Sequence, residues 1–171
     1  MMGSGKTSVG RALAGRLGCP FIDLDRRIEW LTGRRVPELF AAEGEAAFRR
    51  RERAALASLL AEPGFARRCV VVATGGGVVV DPRNVDDMGA SGVTVFLDPP
   101  LEVLIRRLSD DAQRLDRPLL AGQGAEALGA RVARLLSDRR PEYERADLVD
   151  PGDETPVRVA ERLLGQLPIP A

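Results

Sequence analysis

The sequence predicts an α/β fold with a central parallel sheet covered by helices on both faces. Three observations carry this. Two runs, Cys69-Val70-Val71-Val72-Ala73 and Val93-Thr94-Val95-Phe96-Leu97, are apolar at almost every position, as strands buried on both faces must be. Each ends abruptly, in Thr74-Gly75-Gly76-Gly77 and Asp98-Pro99-Pro100. Segments of helical periodicity separate the strands, which implies right-handed βαβ units.

The elements follow in order. Val9, Leu13 and Leu17 recur at helical spacing from Thr7 onward, and Gly18 ends that helix. Pro20 to Asp23 reads as a short strand closed by Asp23-Leu24-Asp25. Carboxylates two apart on a strand share a face and look toward the loop beyond its C-terminal end, where α/β sheets bind ligands. Asp25 could equally be a plain helix cap. Residues 25–33 and 36–60 read as helical, interrupted at Gly33 and Gly44. Within the second, Glu52 lies three residues after Arg49 and can hold its guanidinium in place. Residues 101–109 are helical, and 110–124, with Arg117-Pro118 and Gly122, form a mobile loop. A helix then runs to about Ala146, a strand covers 147–149, and a last helix starts near Pro156.

Composition narrows the function. A chain of 171 residues is read as one domain, 1–171. Zero formal net charge gives no field for nucleic acid or a membrane surface, and no apolar run approaches the roughly 18–20 residues of a membrane span. With no leader visible, a cytoplasmic protein is expected. Cys19 and Cys69 are distant in sequence and in apolar settings, and are expected as reduced thiols filling core space rather than a disulfide. The absence of histidine excludes a Ser-His-Asp triad, a His-ligated zinc and a histidine base. Of the 25 Lys and Arg residues only Lys6 is lysine, so a compact ammonium is needed there in a way that guanidinium cannot meet.

Lys6 stands in Gly3-Ser4-Gly5-Lys6-Thr7-Ser8, the end of a phosphate-binding loop of pattern G-x-x-x-x-G-K-[ST]. Backbone N–H groups from Gly3 to Thr7 would ring the β-phosphate of a nucleotide at the helix N-terminus. Lys6 would bridge the β- and γ-phosphates, and Thr7 would place its hydroxyl on Mg²⁺.

The motifs together resemble shikimate kinase. Asp23-x-Asp25-x-x-Ile28-Glu29, Gly33-Arg34, Phe40-x-x-x-Gly44-Glu45-x-x-Phe48-Arg49-x-x-Glu52, Thr74-Gly75-Gly76-Gly77, Arg117-Pro118-Leu119-Leu120 and Arg139-x-x-x-Tyr143 occur in order and at matching spacings. The resemblance implies a three-layer P-loop kinase fold with a mobile lid at about 110–124 and a substrate-binding helical region at about 25–60. It implies transfer of phosphate from MgATP to the 3-hydroxyl of shikimate by a monomer. In that reading Asp25 contacts the substrate hydroxyls, with Lys6 and Arg117 as its catalytic companions, and Asp23 holds the magnesium shell through water. Arg49 and Arg139 clamp the substrate carboxylate while Gly76 and Gly77 approach its ring. Arg117 meets the transferring phosphoryl group from the lid. Ser8 joins the nucleotide site, and Arg107 and Pro156 border adenine. Alternatives are another P-loop metabolite kinase, such as a gluconate kinase, or an inactive, N-terminally truncated nucleotide-binding fragment.

One departure sets a further expectation. The pattern calls for a strand and a first glycine before Met1, and that strand is central in such sheets. Four or five apolar side chains at roughly 1.5–3 kcal/mol each rival a domain's net stability of about 5–15 kcal/mol. The expectation is a slot between two half-sheets and poor folding of residues 1–171.

Overall fold

A computed structural model describes residues 1–111 and 125–168. Seven α-helices and four strands occur among them, in the order α1 (Lys6–Leu17), β1 (Phe21–Asp23), α2 (Leu24–Thr32), α3 (Val36–Leu60), β2 (Val71–Ala73), α4 (Pro82–Ser91), β3 (Val95–Leu97), α5 (Leu101–Asp111), α6 (Ala125–Tyr143), β4 (Leu148–Asp150) and α7 (Pro156–Leu164).

The helix ends follow local chemistry. Gly18 and Gly33 take left-handed φ values of 63° and 66° at the ends of α1 and α2, a region open to glycine at little steric cost. Gly44, at φ 77°, kinks α3 without ending it. Asp81 caps α4 by accepting from the Arg83 N–H, with Pro82 at its first turn. That helix was not expected from periodicity, because Val85 and Met88 alone mark its inner face.

All pairing is parallel. β1 pairs with β2 in the register Phe21–Val71, Ile22–Val72, Asp23–Ala73. β3 pairs with β4 in the register Val95–Leu148, Phe96–Val149, Leu97–Asp150. Adjacent residues of β3 feed opposite faces, as strand geometry requires. Phe96 joins the core cluster that also holds Leu24, Ile28, Leu39, Leu56, Leu104, Leu108 and Val132. Leu97 packs with Val9 and Leu13 of α1 and Val159, Ala160 and Leu163 of α7. Helices therefore cover both faces, giving the α/β layering.

The four strands form two pairs rather than one continuous sheet. Between the pairs lies a cavity of about 1020 Å³ that touches every residue of β2 and β3. Among the described residues the inner edges of β2 and β3 thus have no strand partner. Met1, 2% exposed, also lines this cavity, and burial, followed by the charge of Lys6, pushes its α-amino group well below the usual range.

Two expectations need correction. Asp25 does not lie on a strand: β1 ends at Asp23, whose carboxylate caps α2 by accepting from the N–H groups of Asp25 (3.1 Å) and Arg26 (3.3 Å). The helix starts one residue earlier than alternation implied, because an extended Asp can satisfy two orphan donors at once. The cysteines are also not core residues. Cys19 is half-buried and Cys69 exposed, since each precedes a strand rather than lying within it.

Candidate active site

The phosphate loop is shaped by glycine. Gly3 and Gly5 take φ values of 74° and 92°, and Gly5 stands at the N-cap of α1. The turn points successive N–H groups and the positive end of α1 at the same space. Ser4 is buried and its hydroxyl donates to the Met1 carbonyl at 2.8 Å, which fixes the loop from inside. The Lys6 ammonium bridges the same carbonyl and the Ser4 hydroxyl. Arg107 of α5 donates to the Gly3 carbonyl at 3.4 Å and the Gly152 carbonyl at 3.1 Å, tying the loop to the segment ahead of α7. Pro156, in the first turn of α7, lines a second cavity, the one in front of the phosphate loop.

That cavity, about 680 Å³, is lined by Gly3 through Ser8, Asp23, Asp25, Arg49, Gly76, Gly77, Arg107, Arg139 and Pro156. Every candidate residue within the described regions is therefore brought to one place. Arg117 and the expected lid at about 110–124 lie outside the described residues, apart from the last turn of α5.

The Thr7 hydroxyl donates to Asp23 Oδ2 at 3.0 Å, so Asp23 serves both as the cap of α2 and as the neighbour of the loop. Burial pushes the Asp25 carboxyl above its ordinary value. The Asp23 charge adds to this, while Lys6 and Arg49 pull the other way. A carboxyl so placed holds its proton more tightly than a solvated one.

Arg49 is held by two acids of its own helix. Its Nη1 donates to Glu52 at 2.7 Å, and its Nη2 and Nε donate to Glu45 at 3.1 and 3.3 Å. The guanidinium lies 5.4 Å from the Phe48 ring centroid, with Phe40 stacked obliquely against Phe48 at 4.5 Å. Glu52 is 1% exposed. Burial pushes its carboxyl up and Arg49 holds it down, with the first effect prevailing. Its Oε1 has no hydrogen-bond partner among the described residues. Arg139 of α6, 8% exposed, donates to the Gly76 carbonyl at 3.0 Å, an acceptor shared with the Tyr143 hydroxyl.

The glycine run after β2 is set by close approach. A Cβ on Gly75 would come within 2.8 Å of Glu52 Oε1 and 3.0 Å of Asp25 Oδ1, and one on Gly76 within 2.9 Å of the Met2 nitrogen. A Cβ on Gly77 would overlap the Arg49 guanidinium. The Gly76 carbonyl faces Arg139 and Tyr143, so this glycine also positions the arginine expected to grip the substrate.

Some lining residues carried no recognised role in the sequence. Val36, Gly152 and Glu154 face the cavity. Phe40 and Phe48 form an apolar floor that the spacing of eight between two aromatic residues could have announced. The buried state of Glu52 had no sequence signal, because charge runs on helices are usually solvated.

The family model for shikimate kinase matches residues 2–168. A shikimate kinase of Synechococcus sp. (strain CC9902) is 46% identical over 169 residues, covering 98% of this chain and 83% of that protein. The crystal structure of a shikimate kinase from Bacteroides thetaiotaomicron superposes with a TM-score of 0.87 at 36% identity, over 97% of this chain and 93% of that one. A shikimate kinase from Acinetobacter baumannii, solved in complex with shikimate, gives 0.85 at 35% identity over 96% and 87% of the two chains. With the match running almost from end to end and the architecture shared at this level, the chain belongs to the shikimate kinase family.

Proposed function

We propose that the protein transfers the γ-phosphoryl group of ATP to the 3-hydroxyl of shikimate, with the roles assigned as follows. One observation carries the reading: a single cavity gathers a phosphate loop, a carboxyl of raised pKa and two arginines. A small acidic triol needs both charge and direction from its site, and two guanidinium forks supply them. Arg49 and Arg139 grip the carboxylate, and the Gly76–Gly77 backbone borders the ring. Asp25 receives the proton of the attacking hydroxyl as the new O–P bond forms and the bond to the β,γ-bridging oxygen breaks, releasing ADP. Lys6 turns from the Met1 carbonyl to the β- and γ-phosphate oxygens and stabilises charge developing there.

The donor set fits Mg²⁺ arriving with the nucleotide. Thr7 and Asp23 offer two hard oxygens side by side, and no cluster of three or more His, Cys, Asp or Glu suited to a metal occurs among the described residues. Mg²⁺ characteristically keeps several waters and takes few protein ligands, so Thr7 would hold it directly and Asp23 through water. When bound it neutralises phosphate charge. Arg117, outside the described residues, is assigned to the transferring phosphoryl group, where a guanidinium would stabilise developing charge.

The protein is read as one domain acting as a monomer in the cytoplasm, with no nucleic-acid or membrane partner. No described helix is long and apolar enough to cross a membrane. The test is coupled detection of ADP with shikimate, gluconate and a nucleoside monophosphate as acceptors. ADP is expected with shikimate alone and only when Mg²⁺ is present. Equal turnover with gluconate would overturn the specificity.

A further inference from the structure

Cys19 and Cys69 are 50 residues apart in sequence, yet the sheet brings them face to face. Cys19 stands two residues before Phe21 and Cys69 two residues before Val71, and Phe21 and Val71 are register partners in the parallel pair β1–β2. Extending that register back by two places Cys19 directly opposite Cys69, with both Cβ atoms on one face. The bond that closes the first pair of that register, from the Val71 N–H to the Pro20 carbonyl at 3.0 Å, holds the two segments together as far back as Pro20. Neighbouring strands lie about 4.7–4.9 Å apart, inside the Cα separation of roughly 4.4–6.8 Å that a disulfide spans. Burial first, then a hydrogen bond to and the charge of Cys69, push the Cys19 thiol up to about 11. Cys69 is exposed and Cys19 is half-buried. Neither thiol has a part in the phosphoryl-transfer site, which lies at the other ends of the same two strands.

We propose that Cys19 and Cys69 form an oxidisable pair, a modification site at which a low-molecular-weight disulfide converts two thiols into one intramolecular bridge. The order of events follows from access. The exposed Cys69, as thiolate, attacks one sulfur of the small disulfide, whose S–S bond breaks and releases one thiol. Cys19 then gives its proton to water and attacks the Cys69 sulfur of the mixed disulfide, releasing a second small thiol. The protein pair is oxidised by two electrons and the small disulfide is reduced to two thiols. The high value of the Cys19 thiol makes this second step the slow one at neutral pH, and faster as pH rises.

The bridge closes a loop that contains β1, α2 and α3, and with them Asp23, Asp25 and Arg49. It fastens the starts of the two strands whose far ends carry Asp23 and the Gly75–Gly77 turn. Cross-linking a loop of this length restricts the unfolded chain strongly, while the active-site ends of the strands keep their geometry. Oxidation therefore acts as a latch on stability and leaves turnover alone.

The test uses the whole chain incubated with oxidised glutathione under native conditions, then alkylated and weighed intact. The expected result is loss of both alkylatable thiols with no retained glutathione, and a Cys19–Cys69 linked peptide on digestion. The thermal midpoint should rise by roughly 5–15 °C relative to the reduced protein, with kcat unchanged within about twofold. Cys19→Ser should instead accumulate a stable glutathione adduct on Cys69, and the double variant C19S/C69S should show no oxidation-dependent shift. Two thiols still alkylatable, a persistent adduct on Cys69 of the unaltered chain, or a covalent dimer would each overturn the proposal.

Discussion

Gly77→Ala separates the architecture of the substrate clamp from the stability of the fold. Gly77 has φ −104° and ψ 0°, a conformation that alanine adopts without strain. The effect of the substitution is therefore purely one of contact. The added Cβ would sit under 3.0 Å from the carbon and both terminal nitrogens of the Arg49 guanidinium, where nonbonded atoms rest at about 3.5–4.0 Å. The backbone at Gly77 is held by the turn, but Arg49 is the far end of a flexible side chain, so Arg49 moves. In moving it gives up its bonds to Glu52 at 2.7 Å and Glu45 at 3.1 Å and its proposed grip on the substrate carboxylate. One charge-assisted hydrogen bond is worth about 1.5–3 kcal/mol, which corresponds to a rise of roughly 10- to 150-fold in KM for shikimate. KM for ATP should stay within about twofold, because the phosphate loop is untouched. The buried Glu52 loses its partner, so the thermal midpoint should fall by roughly 2–10 °C with the melt still cooperative. Steady-state kinetics with each substrate varied in turn, alongside a melt, makes the measurement. A shikimate KM within twofold of the unaltered protein would refute the contact between Gly77 and Arg49 as the device that aims the clamp.

Four other outcomes follow from the same geometry. Lys6→Met and Lys6→Arg should each remove most of kcat while leaving the melt in place, and near-normal turnover by the arginine variant would contradict the need for a compact charge. Arg139→Ala should weaken shikimate binding far more than ATP binding, whereas Arg117→Ala should lower kcat with a smaller change in shikimate affinity; calorimetric titration of both ligands distinguishes them. Asp25 binds its proton more tightly in the folded than in the unfolded state, so the stability it contributes is present in acid and lost as pH rises through its folded value. Asp25→Asn should accordingly raise the melting temperature at pH 7 while suppressing kcat, and should remove an acid limb of the rate profile lying above the usual Asp value of about 3.9. An apolar β-branched segment joined ahead of Met1 should enter the cavity between β2 and β3, raise the midpoint and tighten ATP binding; an unchanged melt would show that the two half-sheets are stable with their inner edges unpaired.

Much of this was legible because the signals are local. Buried parallel strands announce themselves as continuous β-branched runs, and β2 and β3 fall inside the two runs named from sequence. Glycine ended α1 and α2 where expected, since the left-handed turn it permits is a property of one residue. The site was legible as a set of spacings, and all of its described members meet in one cavity. What escaped depended on longer reach or on competition between neighbours. Asp23 and Asp25 read as a strand pair, but capping two backbone donors through Asp23 outweighed one more extended residue. Helix α4 has a good cap in Asp81-Pro82 and too few apolar positions to show a period. The meeting of Cys19 with Cys69 required the register between strands separated by α2 and α3, and nothing in either local stretch encodes that. The burial of Glu52 likewise depends on β2 delivering Gly75 against it.

The product of the reaction tests the central claim most directly. Protein, MgATP and shikimate should be incubated until ATP is consumed, and the mixture examined by phosphorus NMR with proton correlation. One phosphate monoester per ADP, its phosphorus coupled to the proton on the carbon bearing the 3-hydroxyl, is the result predicted by the proposed roles of Asp25 and Lys6. ADP accompanied by free inorganic phosphate and no ester, or an ester at another hydroxyl, would contradict it.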